Sequence, residues 1–177
     1  MNAQFWRRYF DIFDLSQEYD WVLEIGAGPR GPIEVFDAPN KYGIDPLMSE
    51  YKSRFNPSHA NYVEAIGENL PFADGSMDLV ICFNVLDHVE DVEIVLKEIE
   101  RVLRPGGELI LWVHCMKPIF RPLRFLLNIL DKPHPHHFTF REICQQLESM
   151  FATKLAKTSS PVSAGQTWKQ KIGNIVM

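Results

Sequence analysis

The stretch Met77–Val85 (MDLVICFNV) is apolar almost throughout, and it restricts the fold more than any other feature of the chain. A strand with one wetted face alternates apolar and polar residues, whereas an unbroken apolar run needs cover on both faces. GELILWVH (Gly107–His114) is a second such run, and WVLEI (Trp21–Ile25) is a shorter one that ends in glycines. KYGID, closing at Asp45 before Pro46, and ANYVEAI (Ala60–Ile66) are further strand candidates. Helical patterns lie between them. From Asp91 onward, Val92, Val95, Leu96, Ile99, Val102 and Leu103 recur at helical spacing, with Glu93, Lys97, Glu98 and Arg101 on the opposite face. Asp91 is the expected N-cap and Pro105-Gly106-Gly107 the expected stop. TFRE (Thr139–Glu142) has the form of a capping box opening a helix to about Met150. Strands alternating with helices join in parallel through crossovers, so the expected fold is α/β: an open, mostly parallel sheet with helices on both faces. After Met150, FATKLAK and TWKQKIGNIVM flank the loop TSSPVSAGQ and are expected to form a C-terminal antiparallel hairpin.

A chain of 177 residues with no linker, repeat or low-complexity tract is expected to be a single domain over residues 1–177. Its 46% hydrophobic and 23% charged residues are ordinary for a soluble globular protein. The net charge of -5 weighs against nucleic acid as a partner, because phosphate binding favours a basic surface. Cys82, Cys115 and Cys144 include no C-x-x-C pair, which suits reduced thiols in the cytoplasm. No apolar run approaches the roughly 18 residues of a membrane span. The N-terminus MNAQFWRRYFDIFDLSQ lacks the apolar core and cleavage site of a leader. The cytoplasm is the expected location.

EIGAGPRG (Glu24–Gly31) fits two ligand signatures at once. Gly26, Gly28 and Gly31 have the G-x-G-x-x-G spacing of a dinucleotide loop. Glu24, Gly26 and Gly28 have the acidic-x-Gly-x-Gly spacing of loops that bind S-adenosylmethionine (SAM). In an open α/β sheet, ligands bind beyond the carboxyl ends of the strands, and glycines there let the backbone approach closely. Asp45 lies 19 positions after Gly26 (45 − 26) and could accept both hydroxyls of a ribose, which NAD and SAM share. Two features favour SAM. A pyrophosphate wants the N-terminus of a full helix and no negative charge nearby, yet GPIEVFDAPN is short, carries Glu34 and Asp37, and is cut by Pro39. Glu24 would also repel a pyrophosphate but attract the sulfonium and ammonium of SAM. The plainer role for Glu24 is a carboxylate satisfied by the loop's own N–H groups.

VLEIGAGPRG, YGIDP, GENLPFADGSMDLVICFNVLDHVEDVEIVLKEIERVLRPGGELIL and, more loosely, HHFTFREICQQL together resemble the class I SAM-dependent methyltransferases. The likeness is to the small-molecule group that includes ubiquinone and menaquinone methyltransferases (methyltransferase type 11), over roughly residues 20–150. It implies a Rossmann-like fold, SAM as cofactor, and methyl transfer to O or N of a small acceptor, apolar or sugar-containing. YGIDP and NVLDHVED are also similar to members associated with cell-surface polysaccharide synthesis, which points toward the sugar. Carried over by residue, the resemblance implies that Glu24, Gly26, Ala27 and Gly28 cradle the methionine end and that Asp45 holds the ribose. Gly67 and Glu68 would lie near the adenine, and Asn84 and Val85 would line the pocket near the methyl group. The chain departs from the family pattern at Ile66, where an Asp often contacts the adenine amino group. It departs again at Arg30, which stands where the third glycine is expected, with Gly31 following.

Methyl transfer from a sulfonium is an in-line displacement that depends on alignment. An alcohol or phenol acceptor gains further from a general base. His88, after the fourth strand, and His137, at the pocket rim, are the expected catalytic residues, with His114 a third candidate. Helix capping or packing is the competing role for His88. His134, His136 and His137 form HPHH, but interleaved proline and the lack of a matching Cys or carboxylate set argue against zinc, and no metal is expected. KPIFRPLRFLLNILDKP (Lys117–Pro133) gathers Phe120, Leu123, Leu127 and Leu130, flanked by Phe125, Leu126 and Ile129, with Arg121 and Arg124 beside them. The plainer expectation is a helix packed on the sheet or on a second subunit in a homodimer. The functional one is a lid for a small-molecule or lipid-like acceptor, with peripheral membrane contact. The N-terminal aromatics Phe5, Trp6, Tyr9, Phe10 and Phe13 admit the same two roles. Two other functions stay open: a non-catalytic SAM-binding or interaction protein, and, less favoured, an NAD-dependent oxidoreductase.

Overall fold

In the computed structural model the apolar runs become β1 (Trp21–Ile25), β2 (Asn40–Ile44), β3 (Asn61–Val63), β4 (Met77–Phe83) and β5 (Leu103–Met116). The structure describes Trp6, Phe10, residues 18–54 and 60–152, and the backbone of 155–159 and 172–176. Helices α1 (Met48–Arg54), α2 (Val92–Val102), α3 (Arg124–Leu130) and α4 (Phe140–Glu148) alternate with the strands, followed by β7 (Leu155–Ser159) and β8 (Ile172–Val176). The sheet order is β3-β2-β1-β4-β5-β8-β7, and the two-residue β6 (Phe138–Thr139) pairs with the end of β5. All pairings among β1 to β5 are parallel. β8 runs antiparallel to both β5 and β7.

β4, apolar except for Asp78, is buried along its whole length, and its alternate side chains serve two separate cores. Met77, Val80 and Cys82 join Leu23 and Ile25 of β1 on one face, packed against Val95, Leu96 and Ile99 of α2. Leu79, Ile81 and Phe83 join Val22 on the other face, against Trp6 and Phe10. Each such fully buried aliphatic side chain contributes roughly 1.5–3 kcal/mol, which is why this run dictates a two-sided sheet. Trp6 and Phe10 lie 5.7 and 5.6 Å from Phe83 between ring centroids. For these two aromatics, core packing is the role. Phe5, Tyr9 and Phe13 lie outside the described residues.

Two of the charged residues buried at strand positions tie the sheet to its surroundings through matched donors. Asp78 accepts from the N–H groups of Asp20 and Trp21 and pairs with Arg104. Glu108 accepts from the Tyr19 hydroxyl. The Asp91 carboxylate caps α2 through the N–H groups of Glu93 and Ile94, and Thr139 and Glu142 form the reciprocal capping box of α4.

Two expectations need correction. Helix α2 ends at Val102, and β5 begins at once at Leu103, so Pro105-Gly106-Gly107 is strand rather than turn. Gly106 has φ +80°, and the β4–β5 register shifts between Met77 and Leu79. The strand therefore absorbs the irregularity that the glycines announce. The segment after β5, a 3₁₀ turn (Pro118–Leu123) running into α3, has no buried residue. It is not packed on the sheet. No helix of the described residues is long and apolar enough to cross a membrane.

Candidate functional site

β1, β2 and β4 stop at one edge of the sheet, with Ile25 in register with both Ile44 and Cys82. The turns that follow them enclose a cavity of about 590 Å³. Its walls include Gly26 and Gly28 after β1, Asp45 after β2, and Asn84, Val85 and His88 after β4. Glu68 and Ile66 close one side, and Tyr51 of α1 another.

The first wall is held by mutual hydrogen bonding. Gly26 and Gly28 have φ of +70° and +53°, conformations that side chains rarely adopt. A Cβ on Gly26 would stand 2.3 Å from Val85 Cγ2, so the residue has to be glycine on both counts. Asp45 accepts from the Gly28 N–H at 3.1 Å and from the Leu47 N–H at 2.9 Å. A carboxylate has about four lone-pair positions, so capacity remains on the cavity side. The Ala27 N–H donates to the Ile44 carbonyl at 2.9 Å, and its side chain is buried against Met48 and Tyr62 behind the loop.

Glu24 does not line the cavity. It is 1% exposed, and its Oε2 accepts from the Ile33 N–H at 2.8 Å. Its carboxyl lies directly beneath Gly31, where any Cβ would meet both oxygens at 2.2–2.3 Å. Burial raises the Glu24 carboxyl well above the ordinary range, against the lowering effect of that N–H. The same environment pushes the Tyr62 hydroxyl up to about 12, burial first and then the Glu24 and Glu34 charges. Glu24 therefore fastens the loop to the 3₁₀ turn Pro32–Val35 and is not free to face a cofactor cation. This explains the displaced third glycine: Gly31 makes room for Glu24, while Arg30 is exposed.

Gly67 is buried against Val95 and is not part of the wall. Glu68 is part of it, and its Oε1 accepts from the N–H groups of Glu90 (2.8 Å) and Asp91 (3.4 Å) at the head of α2. Asn84 has φ 56° and donates its N–H to the Trp112 carbonyl at 2.8 Å. Its buried Oδ1 has no hydrogen-bond partner. Sequence reasoning missed Tyr51 as a wall residue, since nothing in its helical neighbourhood distinguishes it.

His88 reaches the cavity and His137 does not. His88 Nδ1 lies 2.8 Å from the Pro133 carbonyl, which can only accept. The proton therefore sits on Nδ1, and Nε2 keeps its lone pair, 3.4 Å from the Asn84 amide nitrogen. His137 is turned toward Asn128 Oδ1 at 2.8 Å and Asp131 at 3.6 Å. His136 is held by the Val89 carbonyl at 2.9 Å. His114 is exposed on β5, 4.6 Å from the Trp112 ring. The missing carboxylate partner of HPHH is present in space: Asp87 and His88 come up against His134.

A family model described as a methyltransferase domain matches residues 23–111. Thiol S-methyltransferase TMT1B of Homo sapiens is 34% identical over 106 residues, covering 55% of this chain and 43% of that protein. The ubiquinone/menaquinone biosynthesis C-methyltransferase UbiE of Haemophilus ducreyi is 46% identical over 68 residues, covering 38% of this chain and 26% of that protein. The matched stretches thus span less than half the length of these curated relatives. The YcgJ protein of Bacillus subtilis has the same fold, with a TM-score of 0.70 at 16% identity, covering 99% of this chain and 97% of that one.

Proposed function

The chain belongs to the methyltransferase domain family, and on that premise we propose that it binds SAM in the cavity at the ends of β1, β2 and β4 and transfers its methyl group to a small acceptor. The observation that carries this reading is the meeting of Gly26, Gly28, Asp45 and Asn84 in one cavity. Two bare glycines at positive φ let the backbone approach a ligand closely, and the Asp45 carboxylate suits ribose hydroxyls. The unpartnered Asn84 Oδ1 is an acceptor waiting for a donor such as an ammonium. The cavity's size falls within the range of about 300–1,000 Å³ usual for small-molecule sites. These residues fit SAM. When bound, SAM supplies a methyl group on a sulfonium, a carbon already activated for displacement.

In this reading Gly26, Ala27 and Gly28 hold the methionine end, with Glu24 acting from behind as the residue that fixes the loop. Asp45 binds the ribose. Ile66, Gly67 and Glu68 flank the adenine, Glu68 also fixing the head of α2. Val85, wedged against Gly26, shapes the pocket near the methyl group. His88 presents its Nε2 lone pair to the acceptor and takes its proton, while Pro133 holds the tautomer. His137 contributes from the rim through Asp131. The acceptor atom is O or N, and the thiol S-methyltransferase among the relatives adds sulfur to the set to be tried. The exposed apolar side chains of 118–130 suit an apolar or lipid-like acceptor, or a membrane surface carrying it.

Calorimetric titration with S-adenosylhomocysteine and with NADH tests the cofactor. Binding of NADH alone would sink the reading. Label transfer from methyl-labelled SAM into a panel of alcohols, amines, thiols and sugars then tests turnover. Tight S-adenosylhomocysteine binding with no transfer to any acceptor would favour a non-catalytic SAM-binding protein.

A further inference from the structure

Beside Asn84, at the rim of the cavity, Asp87 and His88 from the turn after β4 meet His134 from the loop before β6. One ligand atom of each lies within 4.8 Å of those of the other two. We propose that Asp87, His88 and His134 bind one divalent transition-metal ion of the kind that accepts imidazole and carboxylate together, such as Zn²⁺.

The protonation pattern is the first argument. His88 Nδ1 lies 2.8 Å from the Pro133 carbonyl, and His134 Nδ1 lies 2.8 Å from Asp131 Oδ1. Both partners are acceptors, so both protons sit on Nδ1 and both Nε2 atoms carry lone pairs, that of His88 meeting only the Asn84 amide at a long 3.4 Å, which a metal ion would displace. A carbonyl or carboxylate on the far nitrogen is the arrangement that orients metal-binding histidines.

Asp87 supplies the second argument. It is 2% exposed, and its Oδ1 has no hydrogen-bond partner. That oxygen stands 3.9 Å from His88 Nε2, too far for a hydrogen bond. A buried carboxylate oxygen without a donor is costly, and a cation between these groups removes the cost. The imidazole centroids of His88 and His134 are 4.4 Å apart. Zn–N bonds of about 2.0 Å set ligand atoms roughly 3.3 Å apart, so the side chains need to close by about an ångström.

Two imidazoles and one carboxylate leave coordination positions free, as in catalytic rather than structural metal sites. His88 also lines the cavity, so those positions face the space assigned to the acceptor. They suit a thiol, hydroxyl or carboxylate on it. This last role rests on the methyl-transfer reading, whereas metal binding does not. In the metal-bound protein His88 Nε2 is a ligand rather than a base.

The test titrates the chelator-treated full chain with Zn²⁺ by calorimetry and with Co²⁺ by visible absorption. One Zn²⁺ per chain is expected, with Co²⁺ bands of a low-coordinate nitrogen–oxygen site. His134→Gln and Asp87→Asn should each weaken Zn²⁺ binding by at least about tenfold, and Asp131→Asn by about tenfold through the orientation of His134. Circular dichroism checks the fold, and His134→Gln, at a half-buried rim position, keeps the test intact if Asp87→Asn does not fold. No stoichiometric Zn²⁺ binding, or undiminished binding by His134→Gln and Asp131→Asn, overturns the site. S-adenosylhomocysteine is titrated in parallel. Loss of that binding with Zn²⁺ binding intact counts against methyl transfer and leaves the metal site standing.

Discussion

On the β1–β2 side of the cavity the polar groups are committed to one another: the Gly28 N–H to Asp45, the Ala27 N–H to Ile44, and the Ile33 N–H to Glu24. By contrast, the segment 118–130 has no buried residue and leaves Ile119 and Phe125 each 78% exposed. The first region presents backbone that core packing already holds in position. The second offers apolar surface, tied down where Arg121 and Arg124 reach Glu142 and where Asn128 meets His137. The difference sets a wall built from fixed backbone against an exposed apolar surface, and in the reading proposed above the first takes the cofactor and the second meets the acceptor.

The sharpest way to break that contrast is Gly26→Ala. The clash with Val85 and the positive φ are expected to weaken S-adenosylhomocysteine binding by more than about 100-fold, and near-normal binding would show the wall to be adaptable after all. His88→Ala should lower turnover by about 10²–10⁴-fold with S-adenosylhomocysteine affinity changed less than about threefold, and His137→Ala by less. If neither substitution changes turnover, the catalytic assignment fails. Asp45→Ala removes one set of charge-assisted hydrogen bonds and should weaken S-adenosylhomocysteine binding by about 10–100-fold, read by calorimetry. On the other wall, replacing Phe125 and Leu126 together by serine should raise the acceptor's KM several-fold and leave stability within about 0.5 kcal/mol. A large drop in the thermal midpoint would mean that the segment is packed rather than open.

The smallest effect concerns Glu142, which holds the exposed segment through Arg121 and Arg124. Burial alone would raise its carboxyl, but Arg124 and Thr139 hold it down at about 2. A depressed folded value means that its stabilisation is complete above about pH 4.5 and is lost as the pH falls toward 2. Glu142→Gln should therefore cost about 1 kcal/mol at pH 7 and much less near pH 2.5, measured by urea unfolding at both.

Much of the framework was legible because it follows from periodicity. The almost wholly apolar β4, the α2 stripe and the TFRE cap each determine local structure without help from elsewhere. Gly26, Gly28 and Asp45 were legible as residues of the cavity wall because backbone conformation and strand ends constrain them locally. Glu24 was read as a cofactor-facing charge; sequence cannot show that Gly31 opens a space that the carboxyl fills. The site at Asp87, His88 and His134 was illegible for a related reason. Its carboxylate lies on a different segment from HPHH, so only the fold brings the pieces together. Pro105-Gly106-Gly107 misled because glycine marks a turn and a strand irregularity equally well.

The pairing of β1 with its neighbour β4 has a kinetic consequence. Leu23 is in register with Val80, 57 positions along the chain (80 − 23), and Gly26 packs on Val85 across a comparable distance. A parallel pair of this separation must close a long loop before any contact rewards it, which makes its formation slow. The cavity exists only once that pair is zipped. Ligand competence should thus appear late in refolding, in step with the central core, and a chain that misses this pairing would leave its most apolar strand uncovered.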